Sequence, residues 1–196
     1  MMIAVFGGAF NPPTLAHEQI AKHVLNLPGI EKLLFVPVGD HYEKVGLISA
    51  DHRMQMLEIL IEKLPGASLS KVEVEAKRAL KSIETLEQLQ LDYPGVDLAF
   101  VMGADNLLQL MNWHHHERFI QTVKIMILNR GHVDVSRFIS DHFEAAVDRF
   151  IIVNDFEKMV ISSSTFRADQ TKKDHVRPEI DAYIQQHRLY QARETL

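Results

Sequence analysis

The chain has no cysteine among its 196 residues, which excludes disulfides, thiolate metal sites and a cysteine nucleophile. It has no positive excess either: 21 lysines and arginines face 26 acidic residues, for a formal net charge of −5. Binding to nucleic acid or to a membrane surface then needs a local basic patch, and none is visible in the sequence. No apolar run approaches the ~20 residues that span a bilayer, and the N-terminus lacks the pattern of a signal peptide. These absences lead to the expectation of a cytoplasmic protein with neither nucleic-acid nor membrane partners. Internal repeats, low-complexity tracts and Pro/Gly/Ser-rich linkers are also missing. With 46% hydrophobic residues, the expectation is a single domain over residues 1–196, with a C-terminal helical segment from about residue 162.

What is present is an alternation of two hydrophobic periods. Short apolar runs at Ile3 to Phe6, Lys32 to Val38, Leu69 to Val74, Leu98 to Met102, Lys124 to Leu128 and Arg149 to Val153 read as strands. Between them, Leu15, Ile20, Val24 and Leu27, then Met54, Leu57, Ile61 and Leu64, recur at helical spacing. Further helices are expected around Ile83, Leu86 and Leu89, around Phe138 and Phe143, and from Pro178 to Tyr190. Strands alternating with helices imply a fold class of α/β, because parallel neighbours need crossover connections: a mostly parallel sheet with helices on both faces.

Three stretches carry chemistry. Gly7-Gly8-Ala9-Phe10-Asn11-Pro12-Pro13-Thr14-Leu15-Ala16-His17 joins the first strand to the first helix. Glycines at a strand end let backbone approach a phosphate, and a helix start presents unpaired N–H groups. Thr14 and His17, three residues apart, fall on one face of the first turn. Taken alone, the same residues are satisfied by a turn and a capped helix. Near the other end, Ile161-Ser162-Ser163-Ser164-Thr165-Phe166-Arg167 combines hydroxyls at a helix start with a guanidinium suited to phosphate oxygens. Gly103-Ala104-Asp105 follows the fourth apolar run and precedes Trp113. A carboxylate there points to the crevice where parallel sheets bind ligands.

The first stretch resembles the signature Gly-x-Phe-Asp/Asn-Pro-x-His/Thr-x-Gly-His of the adenylyltransferase and cytidylyltransferase superfamily, with Ala16 where glycine is usual. The second resembles that superfamily's Ile-Ser-Ser-Thr-x-Ile-Arg. Gly103-Ala104-Asp105 with Trp113 is similar to the nicotinate-nucleotide adenylyltransferase branch. So is Ser82-Ile83-Glu84-Thr85-Leu86, with Lys81 in place of the usual tyrosine. Thr14, by contrast, is typical of the phosphopantetheine branch.

The resemblance implies a Rossmann-like nucleotidyltransferase that joins AMP from ATP to nicotinate mononucleotide and releases pyrophosphate. Another small-phosphate adenylyltransferase and a nucleotide-binding sensor without turnover stay open as alternatives. The resemblance assigns catalysis to His17, Thr14, Arg167 and Lys44. It assigns ATP binding to Gly8, Ala9, Phe10, Thr14, His17, Gly103, Asp105, Ile161, Ser162, Ser163 and Arg167, and acceptor binding to Thr85 and Trp113. Mg²⁺ is expected to arrive on the triphosphate. No protein-held metal is expected, since the consecutive residues His114, His115 and His116 cannot converge on one ion from a helix.

Overall fold

The computed structural model describes residues 1–129, 133–154, 156 and 159–191. Six strands form one parallel sheet: β1 (Met2–Gly8), β2 (Ile30–Pro37), β3 (Ala67–Leu69), β4 (Asp97–Gly103), β5 (Lys124–Leu128) and β6 (Phe150–Val153). Their spatial order is β3-β2-β1-β4-β5-β6. The chain therefore winds outward from β1 in one direction, then returns to its other side at β4. That reversal makes the carboxyl ends of β1 and β4 the natural ligand crevice of such a sheet.

The helices are α1 (Leu15–Leu25), α2 (Ala50–Ile61), α3 (Ser82–Asp92), α4 (Ala104–Leu107), α5 (His116–Thr122), α6 (Val135–Phe143), α7 (Ser163–Ala168) and α8 (Pro178–Gln186). Side chains alternate across a strand, so β1 feeds both faces. Ala4 and Phe6 join Val24 of α1, Leu57 of α2 and Ile184 of α8 in one core. Ile3 and Val5 join Leu86 of α3, Phe119 of α5 and Ile139 of α6 in the other. This is the expected α/β architecture with helices on both faces. Among the described residues no helix is long and apolar enough to cross a membrane.

Two boundaries differ from the sequence reading. The third strand, expected at Leu69 to Val74, lies at Ala67–Leu69. Its last ladder bond runs from the Ser70 N–H to the Phe35 carbonyl at 2.9 Å, after which Lys71 to Glu75 closes a helical turn of 2.9 Å. Val72 and Val74 thus supplied apolar alternation without a strand partner. The terminal helix, expected to reach Tyr190, stops at Gln186. The Leu189 N–H returns to the Ile184 carbonyl at 3.0 Å with Arg188 left-handed at φ 50°. This C-terminal cap reverses the chain and sends Tyr190 back toward the sheet.

Candidate active site

The loop after β1 is shaped by contacts that a sequence motif does not display. Phe10 is buried with φ 46° and packs edge-on against Phe6, Phe35 and His17. A Cβ on Gly8 would sit 3.1 Å from the Phe10 ring, so glycine leaves that ring room to fold under the loop. Thr14 then caps α1 in extended conformation.

His17, on the first turn, accepts the Thr14 N–H at its Nδ1 (2.9 Å), with the Thr14 hydroxyl 2.8 Å from the same nitrogen. A nitrogen facing two donors is unprotonated, which places the proton of the neutral imidazole on Nε2. Burial pushes the His17 pKa down to about 4, so the ring is a neutral donor at pH 7.

Asn11 is buried and binds three segments. Its Nδ2 donates to the Gly46 carbonyl (2.8 Å) and its Oδ1 accepts from Tyr190 Oη (3.0 Å). Its backbone carbonyl accepts from an Arg167 guanidinium nitrogen (2.6 Å). Next to it, Ser163 Oγ donates to the Pro12 carbonyl at 2.7 Å. These bonds seat α7 against the glycine loop across more than 150 residues of chain. Arg53 has no exposed surface and bridges the Ile48 carbonyl (3.0 Å), the Ala9 carbonyl (3.2 Å) and Asp40 (3.5 Å). It holds the 39–48 loop to the glycine loop, a structural role.

The result is a cavity of about 320 Å³ at the carboxyl end of the sheet. Thr14, His17, Lys44, Ile161, Ser162, Ser163 and Arg167 all line it. Ser164, quoted in the serine-rich stretch but given no role of its own, lines it too, as do Gln19 and Phe156, which were not singled out from sequence. Gln19 is partly buried on α1 and its Oε1 accepts the Met159 N–H at 3.3 Å, a long-range contact that helical spacing does not signal, because a residue two positions from His17 does not share its face. Phe156 offered no signal either, because a single loop aromatic has no periodicity. Among the described residues the lining offers one arginine, one lysine, an imidazole donor and three serine hydroxyls but no carboxylate. This chemistry suits an anion with several phosphate oxygens.

The remaining predicted residues fall elsewhere. Gly103 ends β4 beside the end of β1, and Asp105 is exposed on the first turn of α4. Neither lines the 320 Å³ cavity. Trp113 lines a separate cavity of about 290 Å³ with Lys81, Ser82, Ile83, Asn112, His114 and Phe119, on the α3 side of the sheet. Its ring stands edge-on to Phe100 and Phe119. Thr85 is buried, its hydroxyl donating to Glu73 at 2.7 Å and its N–H to the Lys81 carbonyl at 3.1 Å. It therefore supports the start of α3 rather than presenting its hydroxyl to solvent. A larger cavity, about 560 Å³ between α5 and residues 144–149, gathers none of the predicted site residues.

Comparison with known proteins shows the family and the fold. The cytidylyltransferase-like family model matches residues 5–169. The chain is 31% identical over 195 residues to a probable nicotinate-nucleotide adenylyltransferase of Carboxydothermus hydrogenoformans, covering 96% of this chain and 97% of the relative. It is 31% identical over 192 residues to one of Acholeplasma laidlawii, covering 97% and 98%. In fold it is similar to the Plasmodium falciparum nicotinic acid mononucleotide adenylyltransferase complexed with NaAD, with a TM-score of 0.76, 22% identity and 96% of each chain covered.

Proposed function

The chain belongs to the cytidylyltransferase-like family, and we propose that it is a nicotinate-nucleotide adenylyltransferase made of one domain and working in the cytoplasm. It joins AMP from ATP to nicotinate mononucleotide, forming deamido-NAD and pyrophosphate. The observation that carries the site assignment is the convergence of His17, Lys44, Ser162, Ser163 and Arg167 on one cavity at the sheet's reversal point.

In this reading the triphosphate lies against the serines of α7, with Lys44 and Arg167 beside its oxygens. The acceptor phosphate is already anionic and attacks the α-phosphorus in line, so a general base is unnecessary. A bond forms between that oxygen and the α-phosphorus, while the bond to the β-phosphate oxygen breaks and pyrophosphate leaves with the electron pair. The work of the protein is positioning and charge stabilisation. His17 donates from Nε2 to a phosphate oxygen as charge shifts, its ring fixed by Thr14.

In the same reading Asp105, on the first turn of α4, accepts from the ribose of the adenosine, and Gly8, Ala9 and Phe10 form the floor under it. The Trp113 cavity receives the pyridine ring of the acceptor. In this reading the reacting phosphates lie between the two cavities.

Among the described residues no cluster of three or more His, Cys, Asp or Glu side chains could hold a metal. The cationic and hydroxyl lining fits a metal carried by the nucleotide, and we take Mg²⁺ to supply charge neutralisation on the triphosphate. Thr14, the residue that favours a pantetheine acceptor, has its hydroxyl turned to His17, which leaves it a positioning role under either acceptor.

The test is a panel of acceptors incubated with ATP and Mg²⁺ and read by product mass. Deamido-NAD from nicotinate mononucleotide is expected. Product from 4′-phosphopantetheine alone would replace the acceptor assignment, and nucleotide binding without pyrophosphate release would make the protein a sensor.

A further inference from the structure

Resting on the reading of the Trp113 cavity as the seat of the acceptor ring, we propose that the Lys81 ammonium sets the preference for an anionic ring substituent over a neutral one. Lys81 is the exposed residue at the start of α3, and it lines that cavity together with Ser82, Trp113 and His114. It occupies the position where the resembled segment carries tyrosine, so this chain has a charge where an aromatic hydroxyl is usual.

The charges around it are already matched. Glu84, on the same helix, is gripped by Arg78 through two bonds of 2.9 and 2.6 Å and by the Lys81 N–H at 2.7 Å. Those bonds, Arg78's first, push its carboxyl down to about 2, so it stays ionised and stays paired. Glu87 is paired with Arg118. Glu73 lies beneath the helix, accepting from Thr85, and burial raises its pKa. The Lys81 ammonium is exposed and makes no ion pair or side-chain hydrogen bond among the described residues.

An unmatched point charge at the rim of an aromatic cavity discriminates between a carboxylate and a carboxamide of the same shape. The first brings a charge that the ammonium attracts, and the second brings N–H donors toward an existing donor. The site is open to solvent and screened, so the effect is moderate, roughly three- to tenfold in relative specificity.

The experiment compares kcat/KM for nicotinate mononucleotide and nicotinamide mononucleotide in the wild type, Lys81→Met and Lys81→Arg. Lys81→Met is expected to lower the acid-to-amide ratio by roughly three- to tenfold through a higher KM for the acid, with the KM for ATP unchanged. Lys81→Arg should restore most of the ratio. Added salt should raise the KM for the acid in the wild type and do so less in Lys81→Met. An active Lys81→Met enzyme with an unaltered ratio and the same salt response overturns the proposal while leaving the adenylyltransferase reading intact. A wild type that ignores both pyridine nucleotides but accepts another phosphate removes that reading, and the role of Lys81 with it.

Discussion

Tyr190 and Asn11 are separated by 179 positions, yet the tyrosine hydroxyl donates to the asparagine Oδ1 at 3.0 Å in a closed environment. The same asparagine carries Gly46 and Arg167 on its other polar groups. The reversed chain beyond α8 thereby touches the glycine loop that leads into the 320 Å³ cavity. Among the described residues, Asn11 Oδ1 has besides Tyr190 only a 3.4 Å contact from the Ile48 N–H.

Tyr190→Phe keeps the ring and removes that donor. Leaving a buried acceptor short of a partner costs about 1–3 kcal/mol, so the melting temperature should fall by several degrees. Because Asn11 also seats Arg167, kcat/KM for ATP should drop several-fold at temperatures where the protein is fully folded. A thermal melt paired with ATP kinetics checks both, and equal values in both proteins would show that the contact is idle.

His17 has two jobs that separate by mutation. His17→Ala removes the Nε2 donor and the Nδ1 acceptor of the Thr14 N–H together. Turnover should fall by roughly two to three orders of magnitude, with about 1 kcal/mol or more lost from the cap. His17→Gln retains an acceptor at the third helical position, the usual residue of a capping box. It should recover the stability and not the turnover. Recovery of both by glutamine would deny the imidazole a special part.

The pKa of His17 also makes a pH prediction. Burial holds it near 4, below its ordinary value of 6.5, so the unfolded chain binds more protons between those two limits. Stability from this group is fully present above about pH 6.5 and is lost as pH falls toward 4, on the order of 3 kcal/mol in all. Turnover should show no His17 titration between pH 6 and 8. An NMR titration of the His17 ring decides this, and a midpoint near 6.5 would contradict the neutral-donor role.

Arg167→Ala should weaken ATP use by about a hundredfold, since both a charge on the triphosphate and the bond to Asn11 are lost. Arg167→Lys keeps a charge without the planar fork and should fall between. Calorimetric binding of ATP and of nicotinate mononucleotide separately should show that the acceptor is affected much less. An equal loss for both ligands would shift the arginine's part from ATP binding to general support of the loop.

Gly39→Ala tests the loop that brings in Lys44. A Cβ there would lie 2.2 Å from the Glu73 carbonyl oxygen, a backbone atom that cannot swing aside. Overpacking of this kind costs about 1–3 kcal/mol, and displacement of the loop should raise the KM for ATP. Wild-type stability and kinetics in this variant would mean that the 39–48 loop sits farther from Glu73 than the structure has it.

The α/β alternation, the glycine loop, the serine-rich helix start and the Thr14–His17 pair were all legible in the sequence. They are local: a helix period, a turn residue or two side chains three positions apart can be read without knowing what lies across the molecule. The strand assigned to Leu69–Val74 shows the limit, because pairing with β2 ends at Ser70 whatever the alternation beyond it. Which of these segments share a cavity was decided by tertiary structure. The sheet order brings β1 beside β4, Arg53 pins one loop, and Asn11 gathers residues 46, 167 and 190. Such contacts join groups far apart in the chain whose own neighbours carry no trace of the partner, so they exist only once the chain has closed on itself.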